Sequence, residues 1–348
     1  MTTQMNEENI FKQGTLVDIN ASYWSGQKVL KPADLGLKDE EVTEAFHLGR
    51  KLLIPADVIR KFRAVEAKAR RIVEINSFHF PIGNAKFVPY KRFAKVLSNL
   101  QQYQSEYMGL VENLVTNYET YRSQMLPLYE KAAETAWMRQ NPEQKEFGID
   151  YNPEAEKAKF VEEFKNRISS FYPPAESLRR RFALQWSVYE TALPRLREST
   201  SKHVLAEGEA RATLEEYNRL VQEQTRTKIV GFVDEVVTVM RAKTAELAGK
   251  VLTMIKEGKV VKAQTLECLT NFIQDFKELN FVGDKAVEEQ LDALKKEVLD
   301  KYSTDQLKEG EPVEVMKRKL GEIVDLTSNI TDLSSVTGEY KRKISWQD

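Results

Sequence analysis

The chain is poor in several things at once, and each shortage closes off a class of explanation. One cysteine in 348 residues, Cys268, leaves no internal disulfide framework and points to a reducing compartment. Nowhere do about eighteen apolar residues run together, so no membrane-spanning helix is expected. Residues 1–10 are polar and acidic, without the apolar core of a signal segment. A soluble, cytoplasmic protein is expected, in the host cytoplasm if a phage encodes it. The 52 Lys and Arg residues nearly balance 53 Asp and Glu, for a net charge of −1, so no global basic field draws in nucleic acid or an anionic membrane. Three histidines, His47, His79 and His203, lie far apart, and none has the neighbours that a metal set needs. Phosphate-loop and dinucleotide fingerprints are absent too. No metal and no cofactor is expected, and no catalytic residue stands out.

Proline is also missing, from Pro194 all the way to Pro312. Within that stretch, 201–257 reads as one long helix. Leu214, Tyr217, Val221, Ile229, Phe232, Val236, Met240, Leu247, Val251 and Met254 recur at helical spacing, and Gly258 supplies a stop. A second long helix is expected from Lys91 to Trp137, striped by Val96, Leu100, Tyr103, Tyr107, Leu114, Tyr118 and Tyr121 and kinked or divided at Pro127. If antiparallel, the two would bury each other's stripes, with Leu114 and Val236 inside the seam. Further helices are expected from Pro55 to about Asn76, after the Asn152-Pro153 cap, over 264–280, after Asp284, and from Val313. A short one is expected over 40–47. Cys268, in helical context, reads as a small core residue.

Strands gather in the first 190 residues. Thr15 to Tyr23 alternates as a half-buried strand does, and Gly83-Asn84 joins two short apolar runs as a hairpin, with Pro81 confining its strand to an edge. Phe182 to Tyr189 alternates as well, although Phe182, Trp186 and Tyr189 would also share a helix face. The expected fold is therefore mainly α: an elongated, coiled-coil-like bundle of long helices carrying a small mixed α/β head. The expected division is a disordered 1–14, a head from 15–90 plus 172–195, a long-helix arm from 91–171 plus 196–333, and a mobile tail 334–348.

Two basic groups interrupt an otherwise balanced surface. One is the helix face bearing Arg60, Lys61, Arg63, Lys68, Arg70 and Arg71, about +5 once Glu66 is counted. The other is Arg179-Arg180-Arg181, directly before the aromatic run. Arginines beside aromatics clamp phosphates and stack bases, but they are equally solvated faces or docking points for an acidic partner. Arg60, Arg63, Arg70, Arg179, Arg180, Arg181 and the nearby Trp24 are the candidate partner-binding residues.

Asn20-Ala21-Ser22-Tyr23-Trp24-Ser25-Gly26-Gln27-Lys28, followed by Asp34-Leu35-Gly36-Leu37, is similar to the opening signature of an uncharacterised phage and bacterial domain-of-unknown-function family. Tyr172-Pro173-Pro174-Ala175-Glu176, with Arg181-Phe182 closing it, resembles that family's second signature. The likeness covers about 15–195 and departs from the pattern at Gln27, where the family usually has arginine. It implies a phage-type or prophage-type protein, often encoded near a MoxR-like AAA+ ATPase, and it brings no catalytic residues. The expectation is a non-enzymatic interaction or scaffold protein that binds a protein partner such as that ATPase or associates with itself. The alternative is a nucleic-acid-binding protein that uses the arginine clusters of the head.

Overall fold

A computed structural model describes residues 10, 12–38, 42, 48–81, 84–141, 152–189 and 208–328. The expected short helix at 40–47, apart from Val42, lies outside the described residues, as do His47, His203, residues 1–9 and 329–348. The protein is mainly α, with a small antiparallel sheet. It divides into two compact units, Met1–Asp18 with Val73–Leu97 and Ser187–Asp348, and Ile19–Ile72 with Ser98–Trp186.

In the first unit the expected hairpin is present. β4 (Phe78–His79) pairs antiparallel with β5 (Lys86–Pro89), setting Phe78 opposite Phe87 and His79 opposite Lys86. β5 in turn pairs with β1 (Gly14–Ser22), Leu16 opposite Phe87, and β6 (Ala183–Tyr189) completes the order β4-β5-β1-β6. The run before Pro81 is thus an edge strand, as a residue without an amide proton requires. The aromatic run ending at Tyr189 resolves as a strand.

Phe78, Phe80 and Phe87 meet Phe232 and Phe281 at ring-centroid distances of 4.7–5.6 Å, close enough for edge and tilted packing. Phe232 belongs to α6 (Gly208–Lys256), the long helix the periodicity predicts, which stops before Gly258. Its buried face, Ile229, Phe232, Val233, Val236, Val237 and Met240, shares a core with α7 (Ala263–Leu279), α8 (Lys285–Leu294) and α9 (Glu311–Ser328). The principal partner of α6 is α9. Asp284 caps α8 as expected, accepting from the Val287 amide at 3.5 Å.

The second unit is built on α1 (Ala56–Ile75), α2 (Tyr90–Thr116), α3 (Tyr118–Gln140) and α4 (Pro153–Ser169). The first two of these helices also run into the other unit. Asn152 caps α4, its Oδ1 accepting from the Glu154 and Ala155 amides at 3.2 Å each. The break between α2 and α3 falls at Asn117, not at Pro127, which lies inside α3. Asn117 is the poorer helix former here, because its side-chain amide donates back to the Asn113 carbonyl at 2.9 Å. Pro127 and Ser123 are exposed, so the Ser123 carbonyl that a proline leaves unpaired faces water.

Within each unit the long helices have local partners. α3 packs on α4, with Trp137 against Phe160 at 5.4 Å, and α6 packs on α9. Leu114 and Val236 are both buried, each within its own unit. Two tyrosines of the stripe reach strand and loop carbonyls. Tyr107 donates to the Ser22 carbonyl and Tyr118 to the Pro173 carbonyl, both at 2.8 Å.

Candidate functional site: the signature cluster and the arginine face

Segments far apart in sequence converge in the second unit. After β1 the chain turns at Gly26, whose φ of 61° and whose distance of 2.8 Å from a would-be Cβ to Ile54 both favour glycine. The turn leads into β2 (Gln27–Val29), which pairs antiparallel with β3 (Arg50–Leu52). Between the two strands, Pro32–Leu35 forms a 3-10 turn closed by Gly36 at φ 72°. There the backbone comes so near α3 that a side chain would meet the Ala136 carbonyl at 2.6 Å.

Asp34 is buried in this turn and fully engaged. Its Oδ2 accepts from Lys51 Nζ at 2.6 Å and from the Lys31 amide at 2.8 Å, and its Oδ1 accepts from Arg167 at 3.1 Å. Lys51 lies 5.0 Å above the Phe171 ring, and exposed Lys28 lies 5.5 Å from the same ring. Tyr172, next in the second signature, donates to the Leu53 carbonyl at 2.6 Å, while Tyr129 reaches the Leu52 carbonyl. Both signatures therefore close on one strand pair. Trp24 is half-buried, edge-on to Tyr118 at 6.1 Å.

Burial makes these phenols poor acids. It pushes Tyr172 up to about 12 against the opposing pull of Arg122, and it raises Tyr107, Tyr118 and Tyr129 above the ordinary tyrosine value as well. A folded-state value above the unfolded one means that the neutral phenol is favoured in the folded state. This stabilisation is full below the unfolded pKa of 10.0 and is lost as pH climbs through the folded values. The expected result in an alkaline absorbance titration is two classes of tyrosine. The buried class ionises only together with loss of the circular dichroism signal. A single class with the structure intact would contradict this burial.

The candidate arginines stand on the outside of the same unit. Val58, Phe62, Val65 and Ala69 turn α1 inward, leaving Arg60, Arg63 and Arg70 exposed. Arg63 lies 5.9 Å above the Tyr23 ring. Arg70 pairs with Glu66 at 2.8 Å and reaches the Ile19 carbonyl at 3.4 Å. The other three follow the one-turn helix α5 (Ala175–Leu178) as a 3-10 turn, Arg179–Arg181, ahead of β6. They precede the strand and do not alternate with it. Arg179 is engaged by a two-point contact with Glu112, at 3.0 and 2.6 Å, which holds that carboxyl below its usual range. Arg180 and Arg181 are exposed. Phe182, directly behind them, packs on Phe62 of α1 at 4.7 Å, so the two arginine-bearing elements are neighbours. Neither Arg60 nor Arg180 has a hydrogen bond or ion pair among the described residues.

Sequence reasoning missed the Asp34–Lys51–Arg167 network, whose members lie 17 and 133 residues apart. It also placed Cys268 in the core. Leu269, Ile273 and Phe276 take the buried face of α7, and Cys268, one position off that face, is exposed. His79 is exposed on its edge strand. Among the described residues no three His, Cys, Asp or Glu side chains could hold a metal ion, and no helix is long and apolar enough to cross a membrane.

These features define a mainly α protein of two compact units, one of which gathers both sequence signatures around a single strand pair. The chain belongs to the DUF3150 family of proteins of unknown function, which it matches over residues 11–316. Comparison with the curated proteins and with the solved structures returns no match.

Proposed function

We propose that the chain is a non-enzymatic interaction protein of phage type, an adaptor or scaffold that docks an acidic protein surface through the arginine face of its second unit. The partner that the sequence resemblance suggests is a MoxR-like AAA+ ATPase. The elongated long-helix arrangement belongs to the same proposal, in which helices space one binding surface from another. The observation that carries it is the pair Arg60 and Arg180, exposed and without an ion pair among the described residues, on elements joined by the Phe62–Phe182 contact. Exposed guanidinium groups on a rigid base lose little freedom on meeting carboxylates, which they grip at two points.

The test is an Arg60→Ala, Arg180→Ala, Arg181→Ala variant. Arg179 is left alone because its change would also release Glu112. A MoxR-like ATPase encoded beside the gene should co-precipitate with the wild-type chain and be lost with the variant, while melting stays within about 0.5 kcal/mol as for other surface changes. A labelled DNA or RNA oligonucleotide should give no saturable binding near physiological salt. A salt-steep gel shift abolished by the variant would favour nucleic acid instead, each lost phosphate contact lowering the log–log slope by about 0.7–0.9.

A further inference from the structure

A cavity of about 210 Å³ lies within the first unit, between α6 and the link that leads from α1 into β4. On its α6 wall Glu235, Val239 and Lys243 follow one another at four-residue steps and so share one face. The rest of the wall comes from the hairpin side, from Glu74, Ser77, Phe78 and Lys86. Two carboxylates and two ammonium groups thus surround one small space. None of the four has an ion pair or a side-chain hydrogen bond among the described residues. Ser77 Oγ is buried there and likewise has no hydrogen-bond partner among them. Buried hydroxyls are ordinarily paired, so an orphaned one on a cavity wall is a standing donor and acceptor for whatever enters.

We infer that this cavity binds a small zwitterion, an ω-amino acid whose ammonium and carboxylate lie at the two ends of an apolar chain. The balance of charge selects that class. A simple anion drawn by Lys86 and Lys243 would also face Glu74 and Glu235, and a simple cation would meet the reverse conflict. A ligand carrying both signs finds a partner for each. Spacing selects the length. Glu235 and Lys243 are eight residues apart, roughly 12 Å along the helix, with Val239 midway. The two charges of an α-amino acid hang from one carbon and match that span poorly, whereas charges separated by several methylenes match it well. The volume sets the upper bound, since it falls below the roughly 300–1,000 Å³ of sites for drug-sized ligands. Glu235 then takes the ammonium and Lys243 the carboxylate, Val239 and Phe78 cover the methylenes, and Ser77 Oγ gains a partner.

The probe is ε-aminocaproate, with caproate and hexylamine as the same chain lacking one charge. Titrated into the full chain, ε-aminocaproate should bind saturably and move the imidazole resonance of His79, which also lines the cavity and is assigned by its loss in His79→Gln. Caproate and hexylamine should each bind at least about tenfold more weakly. Glu235→Gln and Lys243→Gln change exposed positions, so circular dichroism should stay unaltered while affinity falls at least about tenfold in each. Lys243 also borders an open groove beside α7, so Lys250→Gln, which alters that groove alone, separates the two places and should leave binding unchanged. An absence of saturation up to about 10 mM would overturn the inference. So would caproate or hexylamine binding as tightly as the zwitterion, full affinity in Glu235→Gln, or loss of binding in Lys250→Gln.

Discussion

Asp34→Ala is expected to destabilise the second unit by about 3–5 kcal/mol, the usual cost of removing one partner of a buried ion pair. The size follows from what is left behind. The Lys51 and Asp34 side chains are 5% and 4% exposed, so Lys51 would be left without its carboxylate in a place that water barely reaches. Phe171 below the ammonium offers a partial substitute, worth about 0.5–2 kcal/mol, which does not balance the loss. Arg167 suffers less, since its side chain is 48% exposed and turns to solvent. The Lys31 amide loses its acceptor as well, loosening the 3-10 turn that Gly36 seats against α3. Hydrogen exchange is the suitable measurement, because it reads the turn and the β2–β3 pair separately from the other unit. Exchange there should accelerate strongly. Replacing Asp34 and Lys51 together with leucine and methionine should recover most of the loss, as apolar substitutes for buried pairs commonly do. If Asp34→Ala leaves protection in β2–β3 unchanged, the network is ornament and the turn is held by packing alone.

That network shows where sequence reading runs out. Elements with their own local signal were legible. The alternation of β1, the edge hairpin before Pro81, the caps at Asn152 and Asp284, and the 49-residue α6 each carry their cause within a few residues of themselves. The strand pair β2–β3 was not, since three residues each, Gln27–Val29 and Arg50–Leu52, are too short to display a period of two. Helix partnership was harder still. The stripes on the two long helices establish that each must be covered but not by what, and nothing local to either stripe points to α4 as the partner of α3 or to α9 as the partner of α6. Asn117 against Pro127 makes the same point at a smaller scale. Proline is the stronger helix breaker in general, yet its cost depends on whether the freed carbonyl meets water, which exposure decides. At the candidate site the arginines could be found by eye. That Arg179 is engaged by Glu112, 67 residues earlier, could not.

The first unit should respond most strongly at Asp284. Arg241 and Asp284 form a two-point contact at 2.7 and 3.2 Å, with side chains only 3% and 2% exposed. The same carboxylate caps α8, and the residue's backbone is gripped by Asn280, whose Oδ1 accepts from the Asp284 amide at 2.9 Å. Asn280 Nδ2 donates to Glu288 at 2.7 Å, so the turn between α7 and α8 is stitched from side chains on both of its flanks. Asp284→Ala therefore removes two contributions at once: the ion pair, about 3–5 kcal/mol, and a helix cap, about 1 kcal/mol. Asp284→Asn keeps an oxygen for the cap and loses the charge, so it should fall short of alanine by roughly that 1 kcal/mol. Arg241→Met should cost less than Asp284→Ala, because the Asp284 carboxylate then still accepts from the Val287 amide. The expected order of urea midpoints is wild type, Arg241→Met, Asp284→Asn, Asp284→Ala. The first unit's transition should be followed through a probe within it, since two units need not unfold as one. An Asp284→Ala midpoint equal to that of Arg241→Met would mean that the cap adds nothing beyond the ion pair.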